Sequence, residues 1–320
     1  MKTIAVLDAG YTSYQYEQEL LKEVGYEVVI NKAAITDNTH KMKMASQAEG
    51  IFIRWTDIDK PFLDYCPKLK YIVRYGTGYD NINLSACRER GVKVSNVTGY
   101  ARHSVSNHAL SLIFGCARDL LNGNRNLMET YSAPPDYQLT DFHNKTLGII
   151  GLGKIGGTIS KKAGSLFKRI IASDPYITTK DFQEKGAEKK TLEELLALSD
   201  IITIHCNLTE ETTHLINDTT IHKMKTGIIL VNTARGPVID SKALLKHLNN
   251  GKIWRAGIDV FDTEIPQELD HKLIRHPNII TTGHYAWYSK EAHIALQQLA
   301  AQNMLSFLKG SIPEDCLNCT

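Results

Sequence analysis

The chain has 320 residues, of which 42% are hydrophobic and 22% charged, and its formal net charge is +2 at pH 7. This length favours two domains with sizeable cores. Because both signs of charge are interspersed, the sequence gives no indication of a nucleic-acid or membrane surface. No signal peptide is visible, and no apolar run is long enough to cross a bilayer. The six cysteines are scattered, as expected of reduced thiols, so we expect a cytoplasmic protein.

Short apolar segments alternate with helical patterns, which predicts α/β architecture with parallel sheets. The first predicted strands are residues 4–8, 27–30, 50–54, 71–74 and 93–95, and predicted helices among them are 13–24 and 84–90. Gly76, Thr77 and Gly78 follow the fourth of these strands. That is the carboxyl end of a strand, where open α/β sheets bind ligands.

A long helix is predicted over residues 104–121, and its largely apolar surface indicates burial between domains or subunits. A second set of six strands follows, at residues 146–150, 169–173, 200–205, 227–232, 255–259 and 278–281. A closing helix is predicted over 289–308. The terminal C-x-x-C of Cys316 and Cys319 lacks a second pair or a neighbouring histidine, so we expect no metal site there.

The most informative motif lies in residues 147–156, where an apolar run ends in Gly151, Gly153 and Gly156, spaced as G-x-G-x-x-G. The first glycine permits a tight turn, the second lets backbone approach a pyrophosphate, and the third lets helix and strand pack closely. The following helix N-terminus offers free N–H groups to phosphates. A second apolar run ends in Asp174, which suits both hydroxyls of an adenosine ribose and would repel a 2′-phosphate. The pattern therefore predicts NAD rather than NADP; the alternative is a glycine turn in another kind of α/β protein.

The predicted fold class is α/β, with two doubly wound parallel-sheet domains. Residues 99–288 form a Rossmann NAD-binding domain, because the glycine motif begins near the middle of the chain. It is inserted into a flavodoxin-like substrate domain made of residues 1–98 and 289–320.

Three polar residues follow strands of the second set: Arg235, Glu264 and His284. A guanidinium can hold a carboxylate or polarise a carbonyl. A histidine can transfer a proton near neutral pH, and a glutamate bonded to it fixes its tautomer. Each residue alone has an ordinary explanation: a surface salt bridge, a solvated loop or a structural histidine. Their order behind the dinucleotide motif favours catalysis.

Several segments together resemble the D-isomer-specific 2-hydroxyacid dehydrogenase family. They are residues 74–81, 104–118, 151–156, 205–209 with Thr212, 232–236, 257–261 and 284–289. The resemblance covers essentially the whole chain. It implies NAD-dependent hydride transfer between a 2-oxo acid and a D-2-hydroxy acid, with Arg235, Glu264 and His284 as the catalytic triad.

The resemblance also implies binding residues and an assembly. Beyond the three motif glycines, the implied cofactor contacts are Lys154, Ile155, Asp174, His205, Cys206, Thr212, Thr233, Ala234 and Asp259, the last near the nicotinamide amide. Backbone at Gly76, Thr77 and Gly78 would meet the substrate carboxylate. Members of this family are usually dimers that use the helix corresponding to residues 104–121, so we expect a homodimer.

Some residues depart from the family pattern. Gly283 stands where proline usually precedes the histidine, so we expect a looser loop, and Ile265 separates Glu264 from Pro266. Trp287, which follows the histidine, is similar to a feature of the branch that contains the C-terminal-binding-protein corepressors and related bacterial dehydrogenases. Two interpretations of Trp287 stay open: it lines the substrate pocket, or it is an aromatic residue of the core. That branch suggests an alternative function, an NAD(H)-sensing regulatory protein with vestigial activity.

Arg54 ends an early predicted strand and leaves two interpretations open. It could bind an additional negative group on the substrate, such as the phosphate in phosphoglycerate-dehydrogenase-like enzymes, or it forms a plain salt bridge.

Overall fold

The computed structural model describes residues 2–34, 36–130, 137, 139–263 and 267–319. The chain divides into two compact units, Met1–Ala101 with Ser289–Thr320, and Arg102–Tyr288. None of the described helices has the length and apolar character that a membrane span requires.

The first unit is built on a five-stranded sheet. Its strands are β1 (Lys2–Val6), β2 (Tyr26–Ile30), β3 (Gly50–Ile53), β4 (Tyr71–Arg74) and β5 (Lys93–Ser95). They are parallel and lie in the order β2-β1-β3-β4-β5. This is the flavodoxin-like order, so the predicted fold class is confirmed for this unit.

Four helices lie between these strands: α1 (Gln15–Lys22), α2 (Asn38–Ala45), α3 (Lys60–Tyr65) and α4 (Leu84–Glu89). The sequence reading missed α2 and α3. Both begin at an aspartate whose side chain accepts a hydrogen bond from a backbone N–H of the first turn: Asp37 from His40 and Asp59 from Phe62. Such N-cap residues compensate for weak apolar periodicity.

The predicted long helix is wrong in its extent. The second unit begins with α5 (Arg102–Ala117), which is followed by a separate helix, α6 (Leu120–Thr130). The break falls at Asp119, which has a left-handed φ of 50°. Its buried carboxylate lies 2.7 Å from Arg255 Nη2. The residue at which the chain turns is therefore fixed by an ion pair with a residue that is far away in the sequence.

The second unit contains a seven-stranded sheet. Its strands are β6 (Thr146–Ile150), β7 (Arg169–Ser173), β8 (Glu188–Lys189), β9 (Ile201–Ile204), β10 (Ile228–Asn232), β11 (Ile253–Ile258) and β12 (Ile279–Thr281). All are parallel, in the order β12-β11-β10-β9-β6-β7-β8. Counted from β6, this is the Rossmann order, as predicted. The sequence prediction of six strands missed β8, a two-residue edge strand too short to show a pattern.

Helices cover both faces of this sheet. They are α7 (Lys154–Ala163), α8 (Thr179–Glu184), α9 (Leu192–Leu198), α10 (Asp218–His222), α11 (Ser241–Asn249) and α12 (Glu268–Ile274), with a 3-10 turn at Gly236–Val238. Along β10, Ile228 and Leu230 belong to one buried apolar cluster, whereas Ile229 and Val231 belong to another. Because successive side chains of a strand point to opposite faces, the sheet has an apolar core on each side.

The last helix, α13 (Lys290–Leu308), packs in the first unit and starts at Ser289, whose hydroxyl accepts from Ala292 N. Beyond it the chain returns to β5, where Leu317 N donates to Val94 O at 2.8 Å. This turn brings the Cα atoms of Cys316 and Cys319 within 5.8 Å, and the two residues form a disulfide. The expectation of six reduced thiols is therefore wrong for this pair.

Candidate active site

The glycine motif forms the turn between β6 and α7. Gly151 has a φ of 86°, and a Cβ there would lie 2.6 Å from the backbone nitrogen of Cys206. A Cβ on Gly156 would overlap the carbonyl oxygen of Gly151. Gly153 is the N-cap of α7, and a Cβ on it meets no described atom within 4 Å. The turn thus leaves open space in front of a helix N-terminus, which suits an anionic group.

Asp174 follows β7 and lies beside this turn. Its Oδ2 accepts from Leu152 N at 2.8 Å, and its Oδ1 accepts from Tyr176 N at 3.0 Å. Lys185 Nζ donates to Leu152 O at 2.9 Å. This lysine places a positive charge next to the predicted pyrophosphate site. It was not predicted, because it belongs to no recognised sequence motif.

His205 follows β9 and is held as a neutral imidazole. Its Nε2 lies 2.7 Å from Thr203 Oγ1, and burial lowers the pKa of the ring from 6.5 to about 3. Burial also raises the pKa of the adjacent Cys206 thiol to about 11, so the thiol is protonated at neutral pH. Thr212 closes the next loop, since its hydroxyl donates to Asn207 O at 2.6 Å.

His205 and Thr233 follow the neighbouring strands β9 and β10. The buried atoms His205 Nδ1 and Thr233 Oγ1 have no hydrogen-bond partner among the described residues. Both belong to the predicted cofactor set. A buried polar atom without a partner is costly, so such atoms indicate groups that a ligand completes. Together with the glycine turn and Asp174, the donor set fits a dinucleotide.

The loop after β10 carries Arg235 and is shaped by Asn232. The Asn232 side chain accepts from Ala234 N at 2.9 Å and donates to Arg235 O at 2.8 Å. The Arg235 guanidinium donates to Ala234 O at 2.8 Å. At Gly236 a Cβ would overlap the backbone of Phe261, so only glycine lets the two loops approach this closely.

Arg235 and His284 follow β10 and β12, which lie on either side of β11. Backbone hydrogen bonds continue the sheet beyond the strands: Asp259 N donates to Asn232 O at 3.0 Å, and His284 N donates to Asp259 O at 2.8 Å. Both predicted catalytic side chains therefore start from one edge of the sheet. His284 itself has a left-handed φ of 54°, a conformation that a non-glycine residue rarely adopts.

Asp259 is the anchor of the histidine loop. Its side chain is almost fully buried, and it accepts hydrogen bonds from Thr282 Oγ1 at 2.5 Å and from the backbone N–H groups of Tyr285 and Ala286 at 3.1 Å. These bonds bracket His284 on both sides. They give the loop fixed contacts on both sides of Gly283 and His284, while the expectation that glycine loosens the loop stays a prediction.

Two further residues adjoin this network. His108 Nε2 lies 2.9 Å from Thr282 Oγ1 and 3.7 Å from the Asp259 carboxylate, a contact that the sequence reading did not foresee. The Trp287 indole N–H donates to His284 O at 3.0 Å, so the half-buried indole is tied to the same loop. Glu264, the third predicted triad residue, lies outside the described residues.

The predicted substrate residues of the first unit lie after β3 and β4. Arg54 follows β3, with its guanidinium carbon 5.3 Å from the Tyr11 ring and 6.0 Å from the Tyr75 ring. Asp8 shapes its turn, since Asp8 Oδ2 accepts from the backbone nitrogens of Arg54, Trp55 and Thr56 at 2.7–2.8 Å. The Asp8 carboxylate also forms a buried ion pair of 2.6 Å with Lys41.

The glycine segment after β4 is held by its own hydrogen bonds. Gly76 has a φ of 130°, and its carbonyl accepts from Val97 N at 3.0 Å. Thr77 Oγ1 donates to Val97 O at 3.0 Å, and Asn96 Nδ2 donates to Thr77 O at 2.6 Å. The segment is therefore a defined turn.

The Rossmann sheet, the glycine turn and the strand-end carboxylate are the features of a dinucleotide-binding domain. A family model described as "D-isomer specific 2-hydroxyacid dehydrogenase, NAD binding domain" matches residues 110–286. The chain belongs to this family, and it is an NAD-dependent D-2-hydroxyacid dehydrogenase.

Individual relatives agree with this assignment. The chain is 32% identical to a hydroxypyruvate reductase of Blautia hydrogenotrophica, over 91% of this chain and 92% of the relative. It is also 32% identical to a D-lactate dehydrogenase of Escherichia coli, over 97% and 98% of the two chains. Among solved structures, D-lactate dehydrogenase from Aquifex aeolicus complexed with NAD and lactic acid aligns over 100% of both chains, with a TM-score of 0.89 and 25% identity.

Proposed function

We propose that the protein interconverts a small 2-oxo acid and the corresponding D-2-hydroxy acid, with His284 as the acid/base and Arg235 as a substrate ligand. The observation that carries this proposal is that both residues follow strands at the same edge of the sheet. Backbone hydrogen bonds of Asp259 connect the two loops that carry them. Positioned groups at the carboxyl ends of parallel strands are where catalysis takes place in this architecture.

Reduction of a 2-oxo acid consumes one hydride and one proton. The nicotinamide, when bound, supplies the hydride. His284 donates the proton to the carbonyl oxygen, which becomes the hydroxyl, and the reverse reaction returns that proton to the imidazole. An imidazole suits this role because its pKa lies near neutral pH.

Arg235 binds the substrate through the N–H groups at the edge of its planar guanidinium, which match a pair of oxygens. The bond from its Nη1 to Ala234 O restricts the rotation of the side chain before substrate arrives. Such preorganisation reduces the entropic cost of reaching the reactive geometry. For Glu264 we propose a hydrogen bond to the His284 imidazole, which would stabilise the protonated ring.

The cofactor residues have distinct proposed roles. The α7 N-terminus at Gly153, with Lys154 and Ile155, binds the pyrophosphate, and Asp174 binds the adenosine ribose. The remaining proposed cofactor contacts are Gly151, Gly156, His205, Cys206, Thr212, Thr233, Ala234 and Asp259. The open space at Gly153 and the buried partnerless atoms of His205 and Thr233 support this set.

For the substrate we propose contacts to Gly76, Thr77 and Gly78 through their backbone and to Arg54 and Trp287 through their side chains. The names of the relatives make glyoxylate, hydroxypyruvate and pyruvate the first candidates. The stacking of Arg54 against Tyr11 and Tyr75 supports a fixed cationic group that could bind an additional anionic substituent.

We also propose a homodimer formed through α5 and α6. Large apolar side chains are exposed along these helices: Phe114, Leu120, Leu121, Leu127 and Met128, the last with 73% exposure. Several large apolar side chains exposed on neighbouring segments favour a protein interface. Light scattering on the wild type and on Met128→Glu tests the assembly, and a monomeric wild type would contradict it. A cytoplasmic location stays a prediction from sequence.

A panel of 2-oxo acids, followed by NADH absorbance at 340 nm, tests the proposed reaction. The panel contains glyoxylate, hydroxypyruvate, pyruvate, a branched 2-oxo acid and 3-phosphohydroxypyruvate. Turnover of at least one small acid is expected. Where the product has a stereocentre, which glycolate lacks, chiral chromatography should show the D form. Tight NADH binding without turnover of any member would contradict the proposed reaction and favour a sensor instead.

A further inference from the structure

A second cluster of polar side chains lies in the second unit, on helices that carry none of the proposed catalytic residues. Asp218 and His222 lie four residues apart on α10, and His247 lies on α11. One potential ligand atom from each lies within 4.8 Å of those of the other two. Two imidazoles and a carboxylate form a donor set that Zn²⁺ and neighbouring divalent transition metals prefer.

The deepest member of the cluster is His247. Only 1% of its side chain is exposed, and its Nε2 lies 2.7 Å from Asp218 Oδ1. The side-chain nitrogen of Asn250 lies 3.4 Å from its Nδ1, so both ring nitrogens are in contact with polar groups and the ring orientation is fixed.

The other two ligands face solvent. The His222 ring packs edge-on against that of His247, with centroids 4.9 Å apart, and its side chain is 62% exposed. The Asp218 side chain is 50% exposed. An ion can therefore enter from water, and water can complete a tetrahedral coordination around three protein ligands.

One group competes with an ion for this site. Lys246 Nζ lies 2.8 Å from Asp218 Oδ1, the same oxygen that His247 contacts. The lysine side chain is 58% exposed, so its ammonium can move into water at small cost. Among the described residues, contacts to this carboxylate involve Oδ1, which leaves Oδ2 for an ion.

We propose that Asp218, His222 and His247 bind a divalent transition-metal ion, with Zn²⁺ as the best match, and that the ion ties α10 to α11. Binding displaces the Lys246 ammonium, and the ring nitrogen of each histidine that binds the ion carries no proton. The segments next to these helices are already paired, since Ile216 N donates to Val238 O at 3.0 Å. The ion acts on the stability of the second unit, apart from hydride transfer.

Calorimetric titration of the full-length, EDTA-treated chain with ZnCl₂, without thiol reductant and without NAD, tests the site. We expect one ion per chain. His222→Gln should weaken binding by at least about tenfold, because it removes one ligand. Lys246→Gln should strengthen binding, because it removes the competing charge.

The matched control is His143→Gln. His143 is also an exposed histidine beside a carboxylate, 3.2 Å from Asp141, but it belongs to no three-ligand cluster among the described residues. Zn²⁺ should raise the Tm of the wild type and of His143→Gln alike, and should raise that of His222→Gln less. Absence of Zn²⁺ binding to the wild type, or equal binding by His222→Gln, would overturn the proposal. Neither readout depends on turnover, so this result is independent of the dehydrogenase assignment.

Discussion

The Asp259 carboxylate accepts a hydrogen bond from the backbone nitrogen of Ala286, two residues beyond His284, at 3.1 Å. Together with the bonds from Thr282 and Tyr285, this contact makes a buried carboxylate the fixed point of the histidine loop. Position and proton chemistry are thereby divided between two residues, since Asp259 holds the loop and His284 is proposed to move the proton.

Replacing Asp259 with asparagine tests this division. The amide keeps the volume but presents an N–H group toward backbone donors. We expect the free energy of unfolding to fall by about 2–4 kcal/mol, because buried donors lose a charged acceptor. We also expect kcat/KM to fall by at least about tenfold. Urea unfolding and steady-state kinetics measure the two effects. Asp141→Asn, at an exposed carboxylate, should change neither, and an unchanged unfolding free energy in Asp259→Asn would contradict the anchoring role.

Alanine substitutions at two glycines of the nucleotide turn form a matched pair. At Gly151 the positive φ and the nearby Cys206 backbone make alanine strained, so we expect a lower Tm. At Gly153 no described atom is within reach of a Cβ, so the Tm should stay unchanged while NADH binding weakens. Thermal unfolding and fluorescence titration with NADH separate the two effects. Full NADH affinity in Gly153→Ala would show that the pyrophosphate does not approach there.

Removing the carboxylate of Asp174 should change the choice of cofactor. The wild type is expected to prefer NADH over NADPH, because Asp174 attracts ribose hydroxyls and repels a 2′-phosphate. Asp174→Ala should lower kcat/KM for NADH and reduce that preference. Kinetics with both cofactors provide the test. Because Asp174 also bonds to Leu152 N, Asp174→Asn serves as a control that keeps an acceptor without the charge. A wild-type preference for NADPH would contradict this assignment.

His205 predicts a specific dependence of stability on pH. Its pKa in the folded protein is lowered from 6.5 to about 3 by burial, so the unfolded chain takes up this proton first as the pH falls. The stability contribution of the neutral ring is complete above about pH 6.5 and is lost progressively as the pH falls toward 3. His205→Gln should therefore show a shallower loss of unfolding free energy between pH 6.5 and 4. Urea titrations across that range measure it, and parallel curves for both proteins would contradict the buried neutral state.

The sequence predicts those parts of the molecule whose determinants are local. The spacing of the glycines and of Asp174 predicts the strand, turn and helix of the nucleotide site. The alternation of apolar segments with helical patterns predicts both sheets. The end of α5 could not be predicted, because it depends on the ion pair between Asp119 and Arg255, residues far apart in the chain.

In the candidate site, too, local features could be predicted and contacts between distant residues could not. Its residues could be proposed from motif and resemblance. The resemblance implied that Asp259 lies near the nicotinamide, and nothing in the sequence indicated that Asp259 holds the loop of His284. That function depends on where three strand ends meet, which a linear pattern does not encode. Contact between Asp259 and the cofactor stays a prediction.

The role of His284 as the acid/base is tested by the kcat/KM of His284→Asn with NADH and the best 2-oxo acid of the panel. Asparagine tolerates the left-handed backbone of this position, so the loop should persist while proton transfer is lost. We expect kcat/KM to fall by about 10²–10⁴-fold, with the Kd for NADH unchanged. Turnover within about twofold of the wild type would contradict the assignment of His284 as the acid/base.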